Sequence, residues 1–528
     1  MMHTKDDTVS IWQKIPIHSF PSLETHLNTD VCVVGSGIAG VSTAYELVKS
    51  GLSVVVIDDG DIGGRQTFRT TAHLSNAFDD RYAEVIKKHG VHAARAVAES
   101  HTAAIRRVRA ISRAEGIDCD FKNLSGYLFL DPAHDTHLLE KEKQACMQAG
   151  LTDVELLSSV GGIGFDLGPC LRFPAQGQIH PGKYMQGMID RLKSLGVEFY
   201  SHTRAVQILR KPDLCVVTQN EVKIFANSVV VATNTPFNTL MRFHTKQHAY
   251  RSYVSVYALP KGSFPNALFW DTSDPYHYVR KKESTENDYL IVGGEDHKTG
   301  QQPGSDPHAK LDQWTRMRFP MVGGRVTHWS GQIMEPVDYL AYIGSMGGKW
   351  KNVYVITGDS GNGMTHGPLA GMIIRDQITH RENSWSKVYS PNRMSLRSLP
   401  SYVEENFNTA LQYGDWISPG EAKALASIPT GSGMILREGA AKIAAYRDPK
   451  GYLHFKSAVC THLDGIVHWN DFEKTWDCPC HGSRFTGTGE VINGPAFKDL
   501  KDAGVAVPAE EAPEGAEPVR QLPPPLAS

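Results

Sequence analysis

The stretch that most restricts the fold is VCVVGSGIAGVSTAYELVKSGLSVVVIDDG, residues 31 to 60. It reads as a buried apolar strand, a glycine turn, a helix with Ala44 and Leu47 on its packing face, and a second apolar strand ending in Asp58. Gly35, Gly37 and Gly40 form G-x-G-x-x-G between strand and helix, and Asp58 follows Gly35 by 23 residues. Each part answers a physical need. The first glycine makes the tight turn, the second lets the backbone approach a pyrophosphate, and the third lets the helix pack on the strand. Ile38 and Ala39 open the helix whose N-terminus faces the phosphates, and the carboxylate of Asp58 accepts hydrogen bonds from a ribose hydroxyl. The segment is read as a dinucleotide-binding unit; the competing reading is a glycine turn that binds no nucleotide.

With 528 residues, 41% of them hydrophobic and 21% charged, the chain is ordinary globular material with room for two or three domains. A net charge of −3 offers no basic field for nucleic acid, and no run of eighteen apolar residues offers a membrane span. The start, MMHTKDDTVSIWQKIPIHSF, has neither the apolar core of a secretory signal nor the Arg-rich character of a transit peptide, so the expected location is cytoplasmic. Of the eight cysteines (32, 119, 146, 170, 215, 460, 478 and 480) only the last three cluster, which argues against a disulfide scaffold and for a local metal or redox site.

Two later segments decide which dinucleotide is expected. ANSVVVATNTPFN (226 to 238) is a buried strand ending in a small-residue turn at Thr233, and KNVYVITGDSGNGMTHGPLAGMIIRDQI (351 to 378) is a strand, a Gly-rich turn and a helix. A simple NAD unit needs neither. Here the chain resembles the FAD-dependent oxidoreductases of the D-amino-acid, glycine and sarcosine oxidase superfamily. The resemblance implies that the backbone at Gly361, Asn362, Gly363 and Met364, opening a helix, faces the N1 and C2-carbonyl edge of the flavin. It extends to GDIGGRQTFRTTAHLS (60 to 75), where Thr70, Thr71, Ala72 and His73 match the loop that passes the isoalloxazine.

The implied fold is α/β followed by all-β: a Rossmann-like FAD-binding domain with an antiparallel substrate-binding sheet, then a small all-β domain. The oxidoreductase part is expected over residues 1–380, with FAD-binding parts at about 28–80, 150–238 and 335–380. HAYRSYVSVYAL, PYHYVRKK, DYLIVGGEDHKTG and VTHWSGQ are aromatic and β-branched runs that predict the sheet over about 240–334. Residues 381–425 hold Pro391, Pro400 and Pro419 around one short helical pattern and read as a connector. Short strands follow over 426–510, and the proline-rich 511–528 reads as a loosely ordered tail. No internal repeat is visible.

CTHLDGIVHWNDFEKTWDCPCHGSRF, from Cys460, sets out Cys-x-His, fifteen residues, then Cys-x-x-His. Cys460, His462, Cys478 and His481 are the ligand candidates. Tetrahedral zinc is one reading. Zinc fingers, however, keep cysteines together and histidines together, whereas here each loop supplies one of each. That division suits a two-iron cluster with thiolates on one iron and imidazoles on the other, the Rieske [2Fe–2S] arrangement. CTHL, CPCHGS and INGPA (492 to 496) resemble the loops of that family. The resemblance also marks departures from its high-potential members: Gly465 stands where a second cysteine would pair with Cys480, and Phe485 stands where a tyrosine would bond a ligand thiolate. Ser483 is retained as a donor to a bridging sulfide, and the lost donors imply a lower potential.

The expected function is oxidation of a C–N bond in a small-molecule amine or amino acid by hydride transfer to FAD, with electrons passed singly to the cluster. An external carrier or oxygen would accept them, and an oligomer is compatible with the chain. The amine has to be unprotonated to support the developing iminium. His73 is the candidate neutral base, with Arg280 and His297 as substrate-facing candidates. A redox-responsive flavin and iron–sulfur sensor and a Rieske-assisted monooxygenase are the alternatives. The oxygenase reading needs a mononuclear iron site of two histidines and a carboxylate. No histidine follows His481, and His244 and His248 have no convincing acidic partner.

Overall fold

The computed structural model describes residues 9–503 apart from 14, 16–18, 162–165, 238–242, 244, 302–303, 394–398, 417, 419 and 422–424. The chain divides into two compact units, Met1–Ala410 and Leu411–Ser528. The boundary falls inside the expected connector because Tyr413 and Trp416 bond within the second unit, the Tyr413 hydroxyl to the Leu463 carbonyl (2.8 Å) and Trp416 Nε1 to the Asp464 carbonyl (2.9 Å). The expected tail lies outside the described residues.

The first unit holds an eight-stranded and a nine-stranded sheet. At the centre of the first, Leu27–Val34 runs parallel to Val54–Ile57 on one side and to Lys223–Val231 on the other, with Val34 opposite both Ile57 and Val231. These strands are continuous apolar runs because helices and loops cover both faces. Val353–Thr357 extends the sheet in parallel. The second sheet is built on Gln247–Leu259, paired antiparallel with Asp288–Lys298 and Arg325–Pro336. It is larger than the 240–334 expected: Lys122–Phe129, Glu155–Leu157 and Cys170–Gln178 also join it.

Two helices carry the turns that matter for function, Ile38–Val48 and Gly363–Ile378. They touch through glycines: a Cβ on Gly371 would lie 2.8 Å from the Ser42 carbonyl oxygen, and one on Gly367 would lie 3.1 Å from the Ala39 nitrogen. Glu46, buried on the first helix, accepts from Arg107 Nε (2.6 Å) of the Val91–Ala114 helix and from Arg375 Nη1 (2.8 Å) of the second. One carboxylate shared by two guanidinium groups ties the three helices together. Among the described residues, no helix is long and apolar enough to cross a membrane.

The second unit has a three-stranded antiparallel sheet, Ser432–Glu438, Ala441–Arg447 and Leu453–Ser457, and a four-stranded one running from His468–Asn470 to Val491–Asn493. Trp469, Trp476 and Phe485 fill its core, and a Cβ on Gly433 would lie only 2.6 Å from the Trp469 ring. Arg484, wholly buried, is paired with Asp477 (2.9 Å) and Glu473 (2.9 Å), so its charge is not left bare.

Candidate functional site

The glycine turn has the shape its spacing predicts. Gly35 has φ of +102°, and a Cβ there would lie 2.4 Å from the Ala232 carbonyl oxygen; a Cβ on Gly40 would lie 1.9 Å from the Gly35 oxygen. Both positions exclude side chains for packing reasons. At Gly37 the nearest atom to an added Cβ is Thr67 Oγ1, at 3.1 Å, so the face at the helix N-terminus is a cradle that a side chain would fill. Asp58 orders this turn: its Oδ2 accepts from Ser36 N (2.8 Å) and Ser36 Oγ (2.7 Å), and its Oδ1 from Gly60 N (3.0 Å). Burial first, then the charge of Asp59, raises its carboxyl above the ordinary range. The Ile38 amide donates to Thr67 Oγ1 (2.9 Å), and Thr233 Oγ1 donates to the Thr235 carbonyl (2.7 Å) beside Gly35.

Thr70, Thr71 and Ala72 form the next wall. Ala72 has φ of +62°, a left-handed conformation rare for a residue with a Cβ, and its amide donates to Thr70 Oγ1 (2.9 Å). His73 begins a two-residue strand opposite Gln178; its Nδ1 is 2.9 Å from Thr71 Oγ1, and its ring meets Tyr278 edge-on at 5.9 Å. Burial first and the Arg280 charge second depress it to about 3, so the imidazole is neutral. Arg280 is buried behind this loop instead of facing a cleft, and His297 stacks on Tyr253 at 5.5 Å.

Gly361, Asn362, Gly363 and Met364 lie at the mouth of the Gly363–Ile378 helix, with Gly361 at φ +75°. Carboxylates crowd this turn, a feature the sequence reading missed. A Cβ on Gly361 would lie 2.6 Å from Asp79 Oδ2, and one on Gly363 would lie 2.4 Å from Asp359 Oδ2. The Tyr276 hydroxyl donates to Asp79 (3.1 Å), and Ser360 Oγ donates to Asp80 (3.1 Å). Asp79 keeps solvent-accessible surface, yet enclosure by protein first and the charge of Asp80 second push its carboxyl up to about 8. Burial likewise lifts Asp296 to about 7 and Asp359 to about 6. Behind the turn, His101 and His366 meet at 3.1 Å between Nε2 atoms, and their Nδ1 atoms approach the carbonyls of Ser75 (3.3 Å) and Asp359 (3.0 Å).

In the second unit the four ligand candidates form two pairs, and among the described residues no three His, Cys, Asp or Glu side chains are grouped to hold one metal ion. Cys460 and Cys478 are buried, and the Cys460 thiol is raised first by its hydrogen bond to Cys478 and then by burial. His462 and His481, both partly exposed, face each other at 5.1 Å. Thiols inside and imidazoles outside is the donor set a two-iron cluster divides. Ser483 Oγ accepts the Ala496 amide (3.0 Å) of the INGPA loop, which leaves its own proton to donate. Gly465 lies directly against Cys480, where an added Cβ would be 2.6 Å from the sulfur.

The comparisons agree with both halves. The model of the family described as FAD dependent oxidoreductase matches residues 30–377, and that of the Rieske [2Fe-2S] domain matches residues 421–505. YhfW of Bacillus subtilis (strain 168), named for a Rieske 2Fe-2S iron–sulfur protein, is 30% identical over 497 residues, 92% of this chain and 95% of that one. Gamma-glutamylputrescine oxidoreductase of Escherichia coli (strain K12) is 24% identical over 68% of this chain and 85% of its own. Among solved structures, glycine oxidase from Geobacillus kaustophilus superposes with a TM-score of 0.58 at 16% identity, over 70% of this chain and all (100%) of that one.

Proposed function

Because the chain belongs to the FAD-dependent oxidoreductase family and carries a Rieske [2Fe–2S] domain, we propose that it oxidises the C–N bond of an amine or amino acid and releases the electrons one at a time through its cluster. Bound FAD supplies the hydride acceptor and the cluster the one-electron carrier. Cys460 and Cys478 with His462 and His481 would hold the cluster; the turn at 35–40, Asp58, the loop 70–72, Thr233 and the turn at 361–364 would hold FAD.

The observation that carries the reading is Asp79 against Gly361. A carboxyl raised to about 8 is an acceptor only in its ionised form, which grows in as pH rises toward that value. Set beside the turn that resembles the flavin-facing one, it takes the ammonium proton and leaves the free amine that hydride loss requires. The Tyr276 hydroxyl, bonded to Asp79 Oδ2, orients that carboxylate. The amide groups at the start of the Gly363–Ile378 helix favour negative charge at its mouth. His73, proposed as base from the sequence, is neutral but bonded to Thr71 and packed on Tyr278, and it keeps a positioning role in this scheme.

The test is an anaerobic screen of amines and amino acids, read by flavin absorbance. A substrate should bleach the flavin first and the cluster afterwards. In Asp79→Asn the bleaching rate should fall and lose its dependence on pH between about 7 and 9. No bleaching by any C–N substrate would overturn the function; bleaching with an unaltered pH profile in Asp79→Asn would overturn the assignment of the base.

A further inference from the structure

Four successive carbonyls of the Arg69–Ala72 loop are each taken by a buried side-chain donor from elsewhere in the chain. Trp329 Nε1 donates to the Arg69 carbonyl (2.7 Å), Trp12 Nε1 to that of Thr70 (2.7 Å), and Arg280 Nη1 to those of Thr71 (2.9 Å) and Ala72 (2.8 Å). Arg280 Nη1 also reaches the Ile179 carbonyl (3.1 Å). Both tryptophans are wholly buried and Arg280 is 3% exposed. Drawing four neighbouring carbonyls toward donors turns the loop's other side, with the strained Ala72, toward the opposite face. A backbone held at φ of +62° without glycine persists only when its surroundings over-determine it, and Arg280 grips the carbonyls on both sides of the Thr71–Ala72 peptide link.

The guanidinium is also short of a counter-charge. Among the described residues no carboxylate forms an ion pair with Arg280, and its Nε is buried without a hydrogen-bond partner. Asp120, the acid that acts on it from a distance, is itself bonded to Lys183 (2.8 Å). The other titratable groups facing it are His73 and His180, both held neutral by burial, and Lys282 near His180; the Trp12 ring packs at 5.6 Å. A buried cation with no anion beside it is costly.

We propose that Arg280 is a positioning residue of the flavin site: it holds the Thr71–Ala72 turn in its strained form and places behind that loop the positive charge that answers the negative charge the ring gains on reduction. The proposal rests on bound FAD and not on the choice of substrate, so it stands or falls separately from amine oxidation.

The test uses the full-length holoprotein without substrate, measuring the flavin midpoint potential, the affinity for FAD and the affinity for sulfite, whose adduct at the ring forms more readily beside positive charge. Arg280→Met should lower the potential, and it should weaken sulfite binding and FAD binding at least about tenfold each, the size of one lost charge-assisted contact. Arg280→Lys keeps the charge and loses the fork. Its potential should match wild type at pH 6 and fall below it by pH 9, because a buried lysine loses its proton across that range. An unchanged potential in the Met variant, or equal shifts in the Met and Lys variants at pH 6, would overturn the electrostatic part. Unchanged FAD affinity in both would overturn the positioning part. If the Met variant does not fold, the Lys variant decides alone: a potential that tracks wild type from pH 6 to pH 9 refutes the proposal.

Discussion

Asp58 and its neighbour Asp59 separate cofactor binding from surface charge within one dipeptide. Asp58 is 8% exposed and accepts three hydrogen bonds, two from Ser36 and one from Gly60, so it builds the glycine turn as well as offering an edge to ribose. Asp59 is paired with Arg65 (2.8 Å) and Arg204 (3.1 Å), with Arg65 42% exposed. Losing one charged hydrogen bond to ribose costs about 1.5 to 3 kcal/mol, so Asp58→Ala should weaken FAD about ten- to a hundredfold. Exposed ion pairs contribute about 0 to 1 kcal/mol, so Asp59→Ala should stay within about fivefold. Asp58→Asn keeps an acceptor without the charge and should fall between. The assay is fluorescence titration of the apoprotein with FAD, alongside apoprotein melting, which reports the turn by itself. Equal affinity losses in the two alanine variants would refute the assignment. Lower apoprotein stability with unchanged FAD affinity would leave Asp58 as a builder of the turn alone.

Other predictions follow from single contacts. Gly465→Cys places a sulfur against Cys480 at a position whose φ carries no left-handed strain, so a disulfide should form and the cluster potential should rise; mass spectrometry showing two free thiols would refute this. Cys460→Ala should lack the cluster yet keep FAD and its substrate-driven bleaching, and loss of flavin together with iron would count against separate sites. His277, 7% exposed, is pulled down by burial but lifted to about 9 by Asp271 (2.9 Å) and Glu295 (3.3 Å). A raised histidine stabilises the fold fully below its unfolded value near 6.5 and loses that contribution as pH climbs through 9, about 3 kcal/mol in all. Stability to denaturant should therefore fall more steeply between pH 6.5 and 9.5 in wild type than in His277→Asn; parallel curves would refute the linkage.

What the sequence determined by itself is the local chemistry. G-x-G-x-x-G with Asp58, and Cys-x-His with Cys-x-x-His, are legible because a turn and its ligands lie within a few residues, and the backbone at that range has few ways to place them. Strand and helix patterns were legible for the same reason, including the three short strands after residue 431. The tertiary structure decided what depends on distant segments meeting. Trp12 reaches Thr70 across 58 positions and Arg280 reaches Thr71 across 209, and neither contact leaves a period or spacing in the chain. Asp79 meets the Gly361 turn only in the folded chain, so in sequence it reads as one more surface acid. The strand at Cys170–Gln178 joined the second sheet, not the dinucleotide fold, because strand partners are chosen by the face that remains to be covered, and that face exists only after the first sheet has formed.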